Sequence, residues 1–383
     1  MRRKTIRVAE PVLDGNERDY VLDCLDSTWI SSRGKYIERF ESAFAEFCEV
    51  PYAVATNNGT TALHLALAAH NVGPGDEVIV PTLTYVASVN AIRYCGATPV
   101  LVDCQGPSLA LDPDQVAAKV NPRTRGIVTV PLYGHPVEID RIESIADRHR
   151  LFVVEDAAEA LGARYRNRPT GSWGDCATFS FFGNKTITTG EGGMVVTSNP
   201  ALAERLRLLR GQAVSSDRAY WHTEVGFNYR MTNIAAAIGC AQLERIDELL
   251  QRRQQIAAWY NEELGSQGHL VHTPHVATHC QHSYWMYSIL LNREFEVHRD
   301  ALINQLAERG IETRPMFYPV HLMPPYREPD GRYPHAESFA TRGVSLPTHG
   351  RLTRDDVHYT CQQLVSALTN LTHAVSSNHR RAA

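Results

Sequence analysis

Short apolar segments alternate with helical patterns through the first two-thirds of the chain, and this alternation constrains the fold more than any other feature. The strand-like segments, most of them rich in valine and isoleucine, lie at 77–80, 98–102, 127–130, 151–154, 178–182 and 194–197. Helical patterns at 60–70 and 87–94 separate some of them. Strands that alternate with helices predict βαβ units and a mainly parallel sheet. We therefore expect an α/β fold.

The pattern changes in the last third of the chain. Residues 233–260 predict one long helix or two helices in tandem, and a strand at 284–291 and a helix at 299–309 follow. A chain of 383 residues is long enough for two domains. We expect a large domain over residues 1–246 and a smaller C-terminal α+β domain over residues 247–383.

Composition excludes several classes of function. The formal net charge of -4 gives no basic field for nucleic acid. No apolar run approaches the ~18 residues that a membrane-spanning helix needs. The eight cysteines are scattered without a C-x-x-C pair, which predicts reduced thiols in a cytoplasmic protein and no disulfide framework or metal site.

Lysine is scarce, which makes one lysine conspicuous. Only positions 4, 35, 119 and 185 carry it. Lys185 lies between a predicted strand and a glycine-rich turn that includes Gly190 and Gly193. Small and apolar neighbours predict a buried amine with a lowered pKa, suited to a Schiff base with an aldehyde cofactor. A solvated lysine on a helix surface is the ordinary alternative.

Asp156 ends a fully apolar predicted strand, 29 residues before Lys185. A carboxylate there can pair with a pyridinium nitrogen and keep a cofactor ring protonated. It can equally cap the N-terminus of the following helix. Both carboxylate and lysine follow predicted strands, and ligands of parallel sheets bind at the carboxyl ends of the strands.

Two further segments have both a binding and a structural interpretation. Asn58, Gly59 and Thr60 open a helix after a strand, and helix N-termini bind phosphate through free N–H groups. The same tripeptide is also an ordinary helix cap. Tyr85 follows the end of another predicted strand and can stack on a flat ring, although an isolated tyrosine more often only packs.

Several longer segments resemble one known family. They are 29–38 (WISSRGKYIE), 84–90 (TYVASVN), 155–159 (EDAAE), 179–188 (FSFFGNKTIT), 220–222 (YWH), 228–233 (NYRMTN), 296–300 (EVHRD) and 314–321 (RPMFYPVH). On these segments the chain is similar to the DegT/DnrJ/EryC1/StrS family of sugar aminotransferases, which are fold-type I enzymes dependent on pyridoxal 5'-phosphate. The resemblance covers nearly the whole chain.

The resemblance implies a role for each cofactor-binding position. Lys185 would bind the cofactor covalently and then carry the proton, and Asp156 would pair with the pyridine nitrogen. Tyr85 would stack on the ring. The phosphate contacts it implies are Gly59, Thr60, Ser180 and, from the neighbouring subunit, Asn228. A homodimer with shared active sites follows from the last of these.

Glu159 is a departure from many relatives, which carry Gln or His close to the phenolic oxygen of the cofactor. A carboxylate beside a phenolate is unfavourable. We therefore expect Glu159 to be protonated or turned away from the ring.

The resemblance also implies a reaction. L-Glutamate would donate its amino group, and the C4 keto group of a nucleotide-linked 4-keto-6-deoxy sugar would accept it. Segments 31–36 and 316–321 are most similar to the group that converts GDP-4-keto-6-deoxy-D-mannose to GDP-perosamine, for lipopolysaccharide O-antigen biosynthesis. A nucleotide diphosphate needs cationic or aromatic partners. The candidate substrate contacts are Arg33, Arg230, Tyr318 and His321.

Four alternatives follow from the same sequence. A dTDP- or UDP-linked sugar could replace the GDP-linked substrate. A sugar dehydratase of this fold carries His in place of the lysine, so Lys185 argues against it. A nicotinamide-dependent enzyme lacks support because no G-x-G-x-x-G follows a strand. A non-catalytic regulatory protein on the same fold is the fourth.

Overall fold

The computed structural model describes residues 5–106 and 108–382, and the side chains up to residue 371. The helices in chain order are α1 (Glu17–Asp26), α2 (Lys35–Phe47), α3 (Gly59–Ala69), α4 (Ala87–Tyr94), α5 (Pro113–Lys119), α6 (Ile139–His149), α7 (Pro200–Arg210), α8 (Asn233–Leu243), α9 (Ile246–Leu264), α10 (Arg299–Glu308), α11 (Pro334–Arg342) and α12 (Arg354–Ala382). Short 3-10 turns lie at Leu132–Gly134, Arg293–His298, Val320–Leu322 and Pro324–Tyr326.

The strands follow the same chain order. They are β1 (Tyr52–Thr56), β2 (Glu77–Pro81), β3 (Thr98–Val102), β4 (Thr124–Thr129), β5 (Phe152–Asp156), β6 (Arg164–Tyr165), β7 (Arg168–Pro169), β8 (Cys176–Ser180), β9 (Gly193–Thr197), β10 (Val271–His272), β11 (Cys280–Gln281), β12 (Tyr287–Leu291), β13 (Arg314–Pro315) and β14 (Gly343–Leu346).

A seven-stranded sheet forms the centre of the molecule, in the order β1-β9-β8-β5-β4-β2-β3. Adjacent strands from β8 to β3 are parallel, and β9 runs antiparallel to both β8 and β1. The mainly parallel sheet of an α/β fold is therefore confirmed. Because β1 points the same way as β5 and β8, the carboxyl ends of all three meet at one edge, where side chains of parallel sheets form binding sites.

Helices cover both faces of this sheet because its strands are apolar on both sides. All five residues of β2 are buried, and so are seven residues of α3. On the other face, Phe44 of α2 contacts Phe179 and Phe181, with ring centroids 4.9 and 5.2 Å apart. Such aromatic contacts contribute ~0.5–1.5 kcal/mol each beyond the area they bury. They fix β8 and the start of the loop that follows it.

A second, four-stranded sheet lies in the C-terminal part, in the order β10-β12-β14-β13, with every neighbouring pair antiparallel. Its core consists of residues from α9, β12, α10, β14 and α12. The boundary that the sequence predicts near residue 246 coincides with the start of α9, and the division into two domains stays a prediction. Among the described residues, no helix is long and apolar enough to cross a membrane.

Candidate active site

A cavity of about 600 Å³ opens at the carboxyl edge of the central sheet. Its size is typical of a site for a small molecule or cofactor. Seven of the residues predicted from the sequence line it together: Gly59, Thr60, Tyr85, Asp156, Glu159, Ser180 and Lys185. The structure therefore brings the predicted cofactor residues to one place, as the strand-end argument expects.

The N-terminus of α3 forms one end of the cavity. Asn58 caps it in an extended conformation, and its side chain accepts a hydrogen bond from the N–H of Thr61 at 2.8 Å. The N–H groups of Gly59 and Thr60 precede the first intrahelical hydrogen bonds, so they are free to bind an anion. A Cβ at Gly59 would lie 2.7 Å from the Cβ of Ser180. Glycine is therefore required for α3 and β8 to approach this closely.

Asp156 occupies the end of β5 and is 5 % exposed. The hydroxyl of Ser88 donates to its Oδ2 at 2.6 Å, and the N–H of Ala158 donates to its Oδ1 at 3.3 Å. Burial raises the pKa of Asp156, while these two donors and the nearby Lys185 amine oppose that shift. The carboxylate is thus oriented from two sides and can bind a protonated ring nitrogen.

Lys185 lies in the loop between β8 and β9. Its N–H donates to the carbonyl of Phe182 at 2.9 Å, and Phe182 forms a bridge with Gly190, whose φ of +81° suits glycine. This closed turn holds the lysine side chain toward the cavity with 13 % of it exposed. Burial lowers the pKa of the Lys185 amine, which favours its neutral, nucleophilic form.

Glu159 lies beside Lys185, with 3.9 Å between its Oε1 and the lysine Nζ. Its other oxygen accepts the N–H of Tyr133 at 2.9 Å. Burial raises the pKa of Glu159, and the Lys185 charge opposes that shift. Burial thus disfavours both charges, while the attraction between the two groups favours them. The raised pKa favours the protonated form, which is the first of the two alternatives expected for Glu159.

The C-terminal part of the chain supplies a wall that the sequence did not indicate. Trp285, Arg314 and Phe317 line the cavity, and Tyr133, in the 3-10 turn after β4, contacts two of them. Arg314 begins β13 and is the one cation besides Lys185 in the described cavity lining. Its signal in the sequence is its place at the start of the 314–321 segment that resembles the family.

Four predicted contacts lie outside the cavity of the single chain. Asn228 and Arg33 are exposed, and the Nη2 of Arg230 donates to the Oδ1 of Asn228 at 3.3 Å. Tyr318 is half-exposed and its hydroxyl accepts from Arg299 at 3.1 Å. Phe317 faces the cavity in its place.

The position of His321 argues against the substrate contact that the sequence predicts. The residue is fully buried. Its Nδ1 contacts the hydroxyl of Thr82 at 2.7 Å, and its Nε2 contacts Glu337 at 3.1 Å. With both ring nitrogens engaged inside the protein, His321 links the end of β2 to α11, and it does not line the cavity.

Comparison with known proteins gives one family across the chain. The sequence profile of the DegT/DnrJ/EryC1/StrS aminotransferase family matches residues 11–365. The chain is 55 % identical to the GDP-perosamine synthase of Caulobacter vibrioides over 353 residues, which cover 92 % of this chain and 95 % of that protein. It is 49 % identical to the GDP-perosamine synthase of Escherichia coli O157:H7 over 361 residues, covering 94 % and 98 %.

Solved structures agree with the sequence comparison. The PLP form of the putative sugar aminotransferase Spr1654 from Streptococcus pneumoniae superposes with a TM-score of 0.91 at 29 % identity. The match covers 96 % of this chain and 99 % of that one. The fold-type I architecture predicted from the sequence is thereby confirmed.

Proposed function

The chain belongs to the DegT/DnrJ/EryC1/StrS aminotransferase family, and from this we propose that it transfers an amino group from L-glutamate to the 4-keto group of GDP-4-keto-6-deoxy-D-mannose. The product would be GDP-perosamine. The observation that carries the reaction class is the buried Lys185 amine, which shares one cavity with Asp156 and the N-terminus of α3.

The cavity fits pyridoxal 5'-phosphate at each end. The N–H groups of Gly59 and Thr60 and the hydroxyl of Ser180 would hold the phosphate, where the dipole of α3 favours a negative charge. Asp156 would pair with the ring nitrogen. Tyr85 would cover one face of the ring, because its own ring borders the cavity beside Phe317 at 5.6 Å between centroids.

When bound, the cofactor supplies an aldehyde that captures amines and a ring that withdraws electrons from the reacting carbon. Lys185 would provide the amine that holds the cofactor. Once displaced by the donor, the same amine would take the proton from the α-carbon of glutamate and return it to the cofactor carbon. A lowered lysine pKa suits this exchange because the amine must be neutral to accept a proton.

Glu159 would present a neutral acid to the cofactor oxygen beside it. A protonated carboxyl can donate a hydrogen bond to a phenolate, which an ionised one cannot. The N–H of Tyr133 already engages one Glu159 oxygen, and this leaves the other free to face Lys185. The departure from Gln or His at this position is thus compatible with cofactor binding.

The choice of substrate rests on the two GDP-perosamine synthases, which cover most of this chain at 49 and 55 % identity. Arg314 supports an anionic substrate, because it brings a partly exposed cation to the cavity lining, where Lys185 is the other basic residue. We propose that Arg314 binds the carboxylate of the donor or the diphosphate of the acceptor. Arg33, Arg230 and Tyr318 remain proposed contacts.

We propose that the active unit is a homodimer. Asn228 is exposed and outside the cavity of its own chain, as a residue that reaches a neighbouring site would be. Large apolar side chains close to it in sequence are exposed: Tyr220, Trp221 and Val225 are 94, 52 and 87 % exposed. Apolar surface of this kind marks an interaction site. A cytoplasmic location remains a prediction from the scattered cysteines.

The experiment compares kcat/KM for GDP-, dTDP- and UDP-linked 4-keto-6-deoxy sugars with L-glutamate as donor, because specificity is a ratio of these values. We expect a preference for the GDP-linked mannose derivative. A preference for a dTDP- or UDP-linked sugar would remove the perosamine proposal and leave the aminotransferase class. Absence of transamination with every sugar, despite bound cofactor, would favour a non-catalytic role.

A further inference from the structure

The side chain of Trp285 covers the reactive amine of Lys185. The lysine Nζ lies 3.7 Å from the centroid of the indole ring, and Trp285 is 4 % exposed. A cation held over the face of tryptophan is attracted by the ring quadrupole, more strongly where water is excluded. The contact joins the loop after β8 to the segment that enters β12.

Three further contacts hold the indole in place. Its Nε1–H donates to the carbonyl of Asn184, next to the lysine, at 3.0 Å. The backbone carbonyl of Trp285 accepts a hydrogen bond from Nη1 of the buried Arg253 at 2.9 Å. The ring of Tyr133 lies within 11° of parallel to it, with 6.1 Å between centroids. The ring face is therefore fixed relative to the lysine before any substrate binds.

Close packing of the main chain adds to this rigidity. Gly134 has a φ of +107°, and a Cβ there would lie 2.5 Å from the Ser283 hydroxyl oxygen and 3.1 Å from the backbone nitrogen of Trp285. The N–H of Ser283 donates to the carbonyl of Gly134 at 3.0 Å. The tryptophan segment thus cannot move without disturbing the turn that follows β4.

Three other charged groups also act on the amine, from the end of β5, from the turn that follows it and from α9. Glu159, 3.9 Å away, and Asp156 favour its ammonium form, whereas Arg253 and burial disfavour it. Because burial raises the pKa of Glu159, its carboxyl carries a negative charge less readily and stabilises the ammonium less. The indole face also attracts the ammonium, and this attraction does not depend on the protonation state of another group.

We propose that Trp285 is a positioning residue that holds the Lys185 amine over its ring face during the steps in which that amine is free to carry a proton. The inference rests on the proposed role of Lys185. It adds a specific function for a residue from the C-terminal part of the chain: the ring favours the protonated amine and keeps it within reach of the cavity.

The test uses fluorinated tryptophan, because fluorine withdraws electron density from the ring face and leaves its shape nearly unchanged. The chain has five tryptophans, so the same labelling is carried out in a Trp285→Phe background as the matched control. The readout is the pH midpoint for acetylation of Lys185 by acetic anhydride in the apoenzyme, measured by mass spectrometry. Lys119, which lies 5.2 Å from the Tyr333 ring, is the internal reference.

We expect fluorination to lower the Lys185 midpoint in steps, by up to about one pH unit for the most fluorinated ring. The Lys119 midpoint should stay constant, and the shift should vanish in the Trp285→Phe background. An unchanged Lys185 midpoint, or an equal shift in that background, would overturn the proposal. Fluorination decides the matter even if larger changes such as Trp285→Leu unfold the chain.

A second readout separates this role from general support of the fold. Fluorination should lower kcat for the glutamate half-reaction by up to about tenfold, because the weakened ring face positions the amine less firmly, with KM within twofold. A rise in KM alone would contradict the proposal. If the cofactor proves to bind another lysine, the proposed function fails, while the acetylation midpoint still reports the contact between Trp285 and Lys185.

Discussion

The hydroxyl of Ser88 donates a 2.6 Å hydrogen bond to the carboxylate of Asp156. Ser88 lies on α4 and Asp156 ends β5, 68 residues later. The bond opposes the effect of burial and helps keep the acid ionised, as a partner for a protonated ring nitrogen requires. It also fixes the direction of the carboxylate, and no described helix begins directly after Asp156 for it to cap.

Asp156→Asn should lower kcat by roughly two orders of magnitude or more, because it removes the charge that keeps the ring protonated and preserves the shape of the side chain. Single-turnover kinetics with glutamate measure the effect on the chemical step. Ser88→Ala is the graded control and should lose less. Unchanged single-turnover rates in Asp156→Asn would limit this residue to a structural role through its bonds with Ser88 and Ala158.

Glu155→Gln should stabilise the protein at alkaline pH. Burial raises the pKa of Glu155 from 4.5 to about 8, and its Oε2 accepts the N–H of Gly171 at 2.7 Å, a bond that glutamine can keep. Between those two pH values the folded chain binds more protons than the unfolded chain, so wild-type stability falls as pH rises.

The gain from Glu155→Gln, measured by urea unfolding, should therefore grow between pH 5 and pH 9 to a few kcal/mol, since one pKa unit corresponds to about 1.4 kcal/mol. Asp175, an exposed carboxylate whose Oδ2 accepts the N–H of Val153, provides the control Asp175→Asn. A gain for Glu155→Gln that stays constant with pH would show that Glu155 titrates normally.

Arg314→Gln should raise KM for glutamate or for the nucleotide sugar by about tenfold with a smaller change in kcat, because a charged contact to an anion is worth ~1.5–3 kcal/mol. Arg351→Gln is the matched control: Arg351 is 46 % exposed against 48 % for Arg314, and each has one nearby glutamate. Steady-state kinetics with each substrate varied in turn show which anion is bound. Equal KM values in the two variants would exclude Arg314 from binding.

Mixing two inactive chains tests the shared active site. If Asn228 binds the phosphate in the partner's cavity, a heterodimer of Lys185→Ala and Asn228→Asp chains has one site with both residues intact. Asn228→Asp should itself be inactive, because its charge repels phosphate. We expect a partial return of activity in the purified heterodimer, and absence of rescue would place Asn228 in its own subunit's site or outside both.

Local sequence signals located the cofactor side of the cavity. Asp156 and Lys185 follow apolar strands, and Gly59 opens α3, so each could be placed at the carboxyl edge from its neighbours alone. The strand ending at Ser180 was predicted to continue to Phe182. It ends earlier because the chain turns at Phe182, whose carbonyl accepts the N–H of Lys185. Phe181 is still buried, whereas Phe182 is 48 % exposed in this turn.

The substrate side depends on contacts between distant segments, which local patterns do not record. Hydrogen bonds with Asn184 and Arg253 fix the position of Trp285. Without knowledge of these partners, a tryptophan before a strand indicates only packing. The choice between one helix and two over residues 233–260 also depends on such distant contacts. No glycine or proline marks the break between α8 and α9, and Arg245 there forms ion pairs with Asp14 and Glu248.

The most direct test of the central claim, that Lys185 carries the cofactor, is chemical reduction of the enzyme loaded with pyridoxal phosphate. Borohydride fixes the cofactor carbon to the amine that holds it, and the four lysines fall in separate tryptic peptides. We predict that mass spectrometry finds the cofactor only on the peptide that contains Lys185, and that Lys185→Ala loses both the label and the long-wavelength absorbance. A label on Lys35 or Lys119, or no label on a loaded enzyme, would contradict the claim.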